Sequence, residues 1–310
     1  MRGPQTAATG TAILVSGVGV TAALNYGFGV ALTWLLPSAE YGRVGVLLTV
    51  LLLSTSVLAA GFPWTLSRAL ARAESGADTT TDTAAVTRSA LVGNLTLGLV
   101  LAAVLVAVQL TSGAVLPGMG PGATLVLAAT IVLLALGQVL AGGLQGARRF
   151  GAVGLSRVGE IAIKVVVGLV LVAFVGLGFL GVLWALFVSA AVVVVATGWW
   201  LRDRLPGRGP LGGGRMFGSA LPMAVGTTAF GMVGTLDIVL LPAIGGAHGV
   251  TLAVIAVYQA AAVLARAPYL LGKAISDSVF PFIARAETSQ EAHRWFVNGF
   301  RWLPLLIVPA

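Results

Sequence analysis

Eight apolar runs follow one another along the chain, each close to the length that crosses a bilayer, and that succession excludes a soluble fold. A hydrocarbon core about 30 Å thick takes roughly 20 helical residues to span. The runs fall at about 11–36, 44–66, 89–110, 123–144, 158–175, 180–201, 221–242 and 251–273, and a ninth begins near Trp295 and is still apolar at Ala310. With no water to satisfy backbone amides, segments of this kind must be helices. Composition agrees: 9% of residues are charged and the mean hydropathy is +1.01, against about 25% charged in soluble domains. The expected fold is all-α and polytopic, with eight complete transmembrane helices and the start of a ninth. The first run is read as a retained helix, because a signal-peptide core is only about 7–15 residues long and a small-residue cleavage site should follow it.

Charge in the connections alternates. Those after spans two, four, six and eight hold Arg68, Arg72, Arg88, Arg148, Arg149, Arg157, Arg202, Arg204, Arg208, Arg215 and Arg285, whereas those after one, three, five and seven hold only Arg43. Positively charged loops stay on the cytoplasmic side, which puts the amino terminus in the cytoplasm. The net charge of +8 thus reports topology and not nucleic-acid binding, since the basic residues lie between apolar runs instead of in one patch.

Catalytic and metal chemistry find little foothold. Cysteine is absent and the two histidines, His248 and His293, are too far apart for a metal cluster. There is no H-E-x-x-H, no nucleophile elbow and no pair of catalytic carboxylates, and Gly272-Lys273 lacks the glycine spacing of a phosphate loop. An enzyme is not expected, nor is a cofactor.

The basic Gly/Pro-rich stretch 202–215 divides the chain into a first bundle of six spans, 1–201, and the start of a second, 216–310. The tetrapeptide ARAE recurs at 71–74 and 284–287, 213 residues apart, and the same offset carries span one onto seven and span two onto eight. Parallel repeats of this kind build transporters with a site at the repeat interface.

Candidate pathway residues are the polar groups inside the spans. Asp237 is the acidic group within span seven. Gln259, Arg266 and Lys273 recur every seven residues on span eight, and seven helical residues advance about 700°, so the three share a stripe. A charge at mid-membrane costs on the order of 2.5–3.5 kcal/mol by insertion scales and belongs in a bundle interior or a wet cavity. Arg68 adds positive charge at the end of span two, and Lys273 is placed to snorkel to the headgroups. Lys164 follows Glu160 by four residues, the favourable order for a local pair at the membrane edge. Asn25, with Thr21 and Thr33, gives span one a polar face, where amides also serve as interhelical glue. Pro222 and Pro268 remove backbone donors in spans seven and eight and are candidate hinges.

Several stretches carry a resemblance: LPSAEYGRVGVLLTV at 36–50, GFPWTLSRALA at 61–71, LQGARRFGAVGLSRVGEIAIKVVVGLVL at 144–171, Pro222 and Asp237 in span seven, Tyr258 and Ala261 in span eight, and Pro281. In order and spacing the chain resembles the multidrug/oligosaccharidyl-lipid/polysaccharide exporter superfamily, within it the bacterial polysaccharide flippase branch. That resemblance implies twelve to fourteen helices in two bundles around a cavity opening alternately to each side, in the bacterial plasma membrane. Measured against it, the chain stops within span nine. The implied activity is movement of a lipid-linked oligosaccharide or polysaccharide precursor, with the glycan lipid and membrane lipids as partners. A proton- or sodium-coupled multidrug exporter of the same superfamily and a noncatalytic scaffold are the alternatives.

Loop charge makes a direct prediction. A cysteine at Gly118 or Ala247 reacts with an impermeant thiol reagent on intact cells, and one at Ser75 or Gly209 reacts only after lysis. The reverse labelling pattern overturns the orientation.

Overall fold

The structure, a computed structural model, describes residues 7–59, 61–74, 82–112, 118–203, 225–226, 229, 232, 236–245, 249–265 and 289–300. Every regular element among them is a helix: α1 (Ala7–Leu35), α2 (Ser38–Ala59), α3 (Phe62–Glu74), α4 (Thr83–Ser112), α5 (Pro121–Gly146), α6 (Phe150–Leu169) running into a π-helical turn (Val170–Phe174), α7 (Gly178–Trp200), α8 (Leu236–Gly245), α9 (Leu252–Ala265) and α10 (Ser289–Phe300). By length and composition, the stretches Ser38–Glu74, Thr83–Thr111, Pro121–Gly146 and Gly178–Trp200 are able to cross a membrane. Helix α1, with 29 residues, and α6 with its π turn match them in length, α6 carrying Arg157, Glu160 and Lys164.

The first six apolar runs thus coincide with helices, with two differences. Run two does not continue straight to Leu66: α2 ends at Ala59, Gly61 adopts φ 71°, and the stretch expected to be a polar connection from Ser67 is the helical, amphipathic α3 as far as Glu74. A glycine in the left-handed region breaks the helical path, and the sequence beyond it has polar residues on one face only. Helix α6 starts at Phe150, two turns before the expected edge, so Arg157 lies within the helix. Of spans seven and eight the described parts are chiefly α8 and α9, and α10 begins six residues before Trp295.

Packing runs through small residues. Helix α5 lies against α3, α4 and α7. A Cβ on Gly142 would sit 2.5 Å from the Pro63 carbonyl oxygen, and one on Gly146 would sit 2.6 Å from that of Ser67, so the Gly-x3-Gly pair brings α5 onto the α3 backbone as its spacing suggests. Buried Asn94 of α4 donates from Nδ2 to the Ala135 carbonyl of α5 at 2.7 Å. Leu32, Leu47, Leu58, Leu127, Ile131 and Leu183 fill the main core, which draws on α1, α2, α5 and α7.

Each face of the bundle has its own tie. On the arginine-rich face, Arg148 turns the chain between α5 and α6 at φ 54°. The next residue, Arg149, donates to both Asp203 carboxylate oxygens, one at 2.9 Å, and to the Trp200 carbonyl at the end of α7. That guanidinium fills one of the acceptors a helix terminus leaves open and favours the negative end of its dipole. On the charge-poor face, the Phe179 amide at the start of α7 donates to Glu40 Oε2 of α2 at 2.9 Å. A Cβ on Gly178 would be 2.2 Å from that oxygen, and its φ of 53° suits glycine, so the joint between α6 and α7 needs glycine twice over.

Candidate functional site

Helix α6 presents Arg157, Glu160 and Lys164 along one side, because steps of three and four residues return to nearly the same angle. Lys164 lies fourteen residues from the start of the helix, about 21 Å at 1.5 Å per residue, so it is well inside and not at an edge. Its ammonium donates to Asn25 Oδ1 of α1 and sits 5.7 Å from the centroid of the Phe28 ring. The expected local partner, Glu160, is one turn away and half-buried, yet the bond the ammonium makes crosses to another helix.

The amide is held in the orientation this requires. Asn25 Nδ2 donates to the Thr21 carbonyl of its own helix at 3.1 Å, which turns Oδ1 toward the ammonium; the flipped amide would set N–H against N–H. Phe28, three residues on, is buried over Gly168, where a Cβ would lie 2.7 Å from the ring. Thr21, Asn25 and Phe28 therefore form one face of α1 matched to one face of α6. The neutral amide satisfies one of the ammonium's three donors without adding a charge, so the opposing charge near Lys164 is that of Glu160 on its own helix.

A second polar contact joins α8 to α9. The Tyr258 hydroxyl donates to Asp237 Oδ2 at 2.6 Å, the length of a bond to an ionised carboxylate. Asp237 and Tyr258 are both exposed, and their bond is the polar link between the two helices among the described residues. Helices α8 and α9 both pack on α2. There Gly42 and Gly45 face α9 so closely that a Cβ on Gly42 would be 2.2 Å from the Leu252 carbonyl oxygen, and one on Gly45 would be 2.7 Å from Gln259 Cγ. Gln259 is only 7% exposed, and among the described residues its Oε1 is enclosed without a hydrogen-bond partner.

Of the candidate residues, Asn25 meets Lys164, Asp237 meets Tyr258, and Gln259 enters the α2–α9 seam; Arg68 is exposed on α3. Arg266, Lys273, Pro222 and Pro268 lie outside the described residues. Sequence reasoning missed the Glu40 and Arg149 ties. The opposite charges of Glu40 and Arg43 in the first two turns of α2, and the repeated glycines of 176–178, were the signals available.

Long apolar helices with polar side chains paired between them define a helical, multi-pass membrane protein. The model of the family described as polysaccharide biosynthesis protein matches residues 7–287, and the chain belongs to that family. Solved structures share the fold. An inward-facing multidrug resistance MATE family transporter of the MOP superfamily is 18% identical with a TM-score of 0.68, over 93% of this chain and 69% of its own. An outward-facing conformation of such a transporter gives 17% and 0.71, over 96% and 69%. A MOP superfamily transporter from Pyrococcus furiosus Vc1, for which reverse polarity of the binding pocket suggests a different function, gives 16% and 0.63, over 95% and 66%. No curated protein matches the sequence.

The Asn25–Lys164 bond is testable by a double-mutant cycle. Asn25→Ala lowers the thermal unfolding midpoint of the detergent-purified protein, and in a Lys164→Met background the same change costs less by about 1 kcal/mol. Additive effects would show that the two side chains do not interact.

Proposed function

We propose that the chain forms part of a flippase that moves a lipid-linked oligosaccharide or polysaccharide precursor across the bacterial plasma membrane by alternating access. The observation that carries this reading is the charge of the α1–α6 contact: a lysine ammonium well inside the helix, held by a neutral amide. Glu160 stands between Arg157 and Lys164, so the side of α6 is net positive by one. A site of that sign suits the pyrophosphate of a glycan lipid and disfavours a cationic drug. Membership of a polysaccharide biosynthesis family points the same way. Reversed pocket polarity, described for the Pyrococcus furiosus transporter, is the kind of difference such a site makes.

In this reading the bundles are 1–201 and 216–310, joined by the basic segment 202–215, with eight complete spans, a ninth begun and a cytoplasmic amino terminus. Arg68, Arg266 and Lys273 attract the anionic head group on the arginine-rich side. Arginine suits it because a planar guanidinium makes two charge-assisted bonds to phosphate oxygens. Asp237, toward the other end, favours release, and Pro222 and Pro268 let spans seven and eight bend. The α2–α9 seam, closed by Gly42 and Gly45, is one state of the cycle.

The rival reading, cation extrusion coupled to protons or sodium, draws on the Asp237–Tyr258 pair and the fold shared with multidrug transporters. Glycan export and dye efflux, measured side by side in the full-length protein, separate the two. Lys164→Gln and Arg266→Ala cut glycan export at least tenfold with insertion intact, while Asp237→Asn shifts its pH dependence. Loss of dye efflux in Asp237→Asn, with Lys164→Gln and Arg266→Ala silent, would establish the rival.

A further inference from the structure

Arg43 is the one basic residue of the charge-poor connections, and its surroundings are unusual for a guanidinium. It is half-buried in the second turn of α2, and among the described residues its Nε is enclosed without a hydrogen-bond partner. The guanidinium lies on the backbone of Gly118, where a Cβ would be 2.9 Å from its terminal nitrogen and where φ is 75°. Glu40, one turn back, already accepts the Phe179 amide at the start of α7, and among the described residues no ion pair joins it to Arg43.

The next neighbour is also positive. Helix α5 starts beside Gly118 with Gly120 as its N-cap, no side chain capping it, and proline in the first turn. A cation against the positive end of a 26-residue helix is disfavoured, and the carboxylate that lines the same pocket, Glu40, is engaged with the start of α7. Space for an anion exists: a pocket of about 560 Å³ between α2, α5 and α7 has Glu40, Arg43, Gly120, Gly122, Leu180 and Trp184 in its lining. Nothing lies within 4 Å of where a Cβ on Gly120 or Gly122 would be.

The pocket's outer wall identifies the anion. Leu180 and Trp184 are 43% and 42% exposed on a helix apolar enough to span a membrane, and tryptophan favours the level where chains meet headgroups. We propose that this pocket binds a phospholipid, its phosphodiester on Arg43 and the open start of α5, its acyl chains along Leu180 and Trp184. The lipid supplies the acceptor that Arg43 Nε lacks and the negative charge that two positive neighbours favour. A free phosphate would answer the charge but leave the apolar wall unused. This site is independent of the transported substrate and of the reading given for the α1–α6 contact.

Native mass spectrometry of the full chain in neutral detergent tests it, with phosphatidylglycerol as the probe and diacylglycerol and inorganic phosphate as the other arms. Wild type takes up one saturable phosphatidylglycerol, Arg43→Gln weakens it at least tenfold, and Arg43→Lys falls between. Gly122→Leu fills the pocket without altering charge and weakens binding similarly, so it carries the test alone should Arg43→Gln not fold. Arg202→Gln, on the opposite face where Arg202 stacks on Trp199, changes nothing. Equal binding in Arg43→Gln and Gly122→Leu, diacylglycerol uptake matching that of phosphatidylglycerol, or displacement of the lipid by equimolar inorganic phosphate would each overturn the proposal.

Discussion

The first two turns of α2 are the joint on which the rest of the structure depends. Within six residues, Glu40 holds the start of α7, Arg43 covers the turn before α5, and Gly42 and Gly45 let α9 approach to backbone contact. The chemistry differs at each point but the constraint is common. In a low-dielectric setting an unfilled helix terminus costs about 1–3 kcal/mol per group, so a carboxylate reaching from another helix stabilises both partners. Glycine contributes in the opposite way, by removing side chain so that two helices meet through dispersion contact.

Polar groups deeper in the helices follow the same economy of partners. Lys164 has an asparagine, Asp237 a tyrosine and Asn94 a main-chain carbonyl, each from a different helix. Two buried amides remain incomplete: among the described residues, Asn94 Oδ1 and Gln259 Oε1 are enclosed without a donor. For Asn94 the other half of the amide is engaged, and the α4–α5 contact around it is tight. Gln259 is different, because its orphan acceptor sits in a seam closed by glycine contact and by apolar packing of Ile255 and Ala262, with no hydrogen bond across it among the described residues. A seam with an unfilled acceptor is less costly to open than one closed by hydrogen bonds, which fits a contact that must part.

Much of this was legible in the sequence, and the reasons are physical. Hydrophobic runs of span length have no alternative to helix, so the first six runs all coincide with helices, with edges off by up to two turns, and Gly142 and Gly146 announced a close contact by spacing alone. Partners 139 residues apart, such as Glu40 with Phe179 and Lys164 with Asn25, leave no trace in local periodicity. Lys164 was therefore read through its nearest opposite charge, Glu160, whose charge does act on it, and the bond to the cross-helix amide of Asn25 went unseen. The helical course of α3 was hidden for another reason: its polar face matches that of a loop, and only Gly61 marks the bend.

The central claim is that the α2–α9 seam opens and closes during transport. Its most direct test is a disulfide across it, since a Cβ on Gly45 would lie 3.1 Å from that of Gln259 and the chain has no cysteine of its own, near the roughly 3.5–4.5 Å a disulfide spans. In the full-length protein carrying Gly45→Cys and Gln259→Cys, oxidation should form the bond quickly and stop export, and reduction of the same sample should restore it. Export that continues unchanged with the bond quantitatively formed would contradict the account.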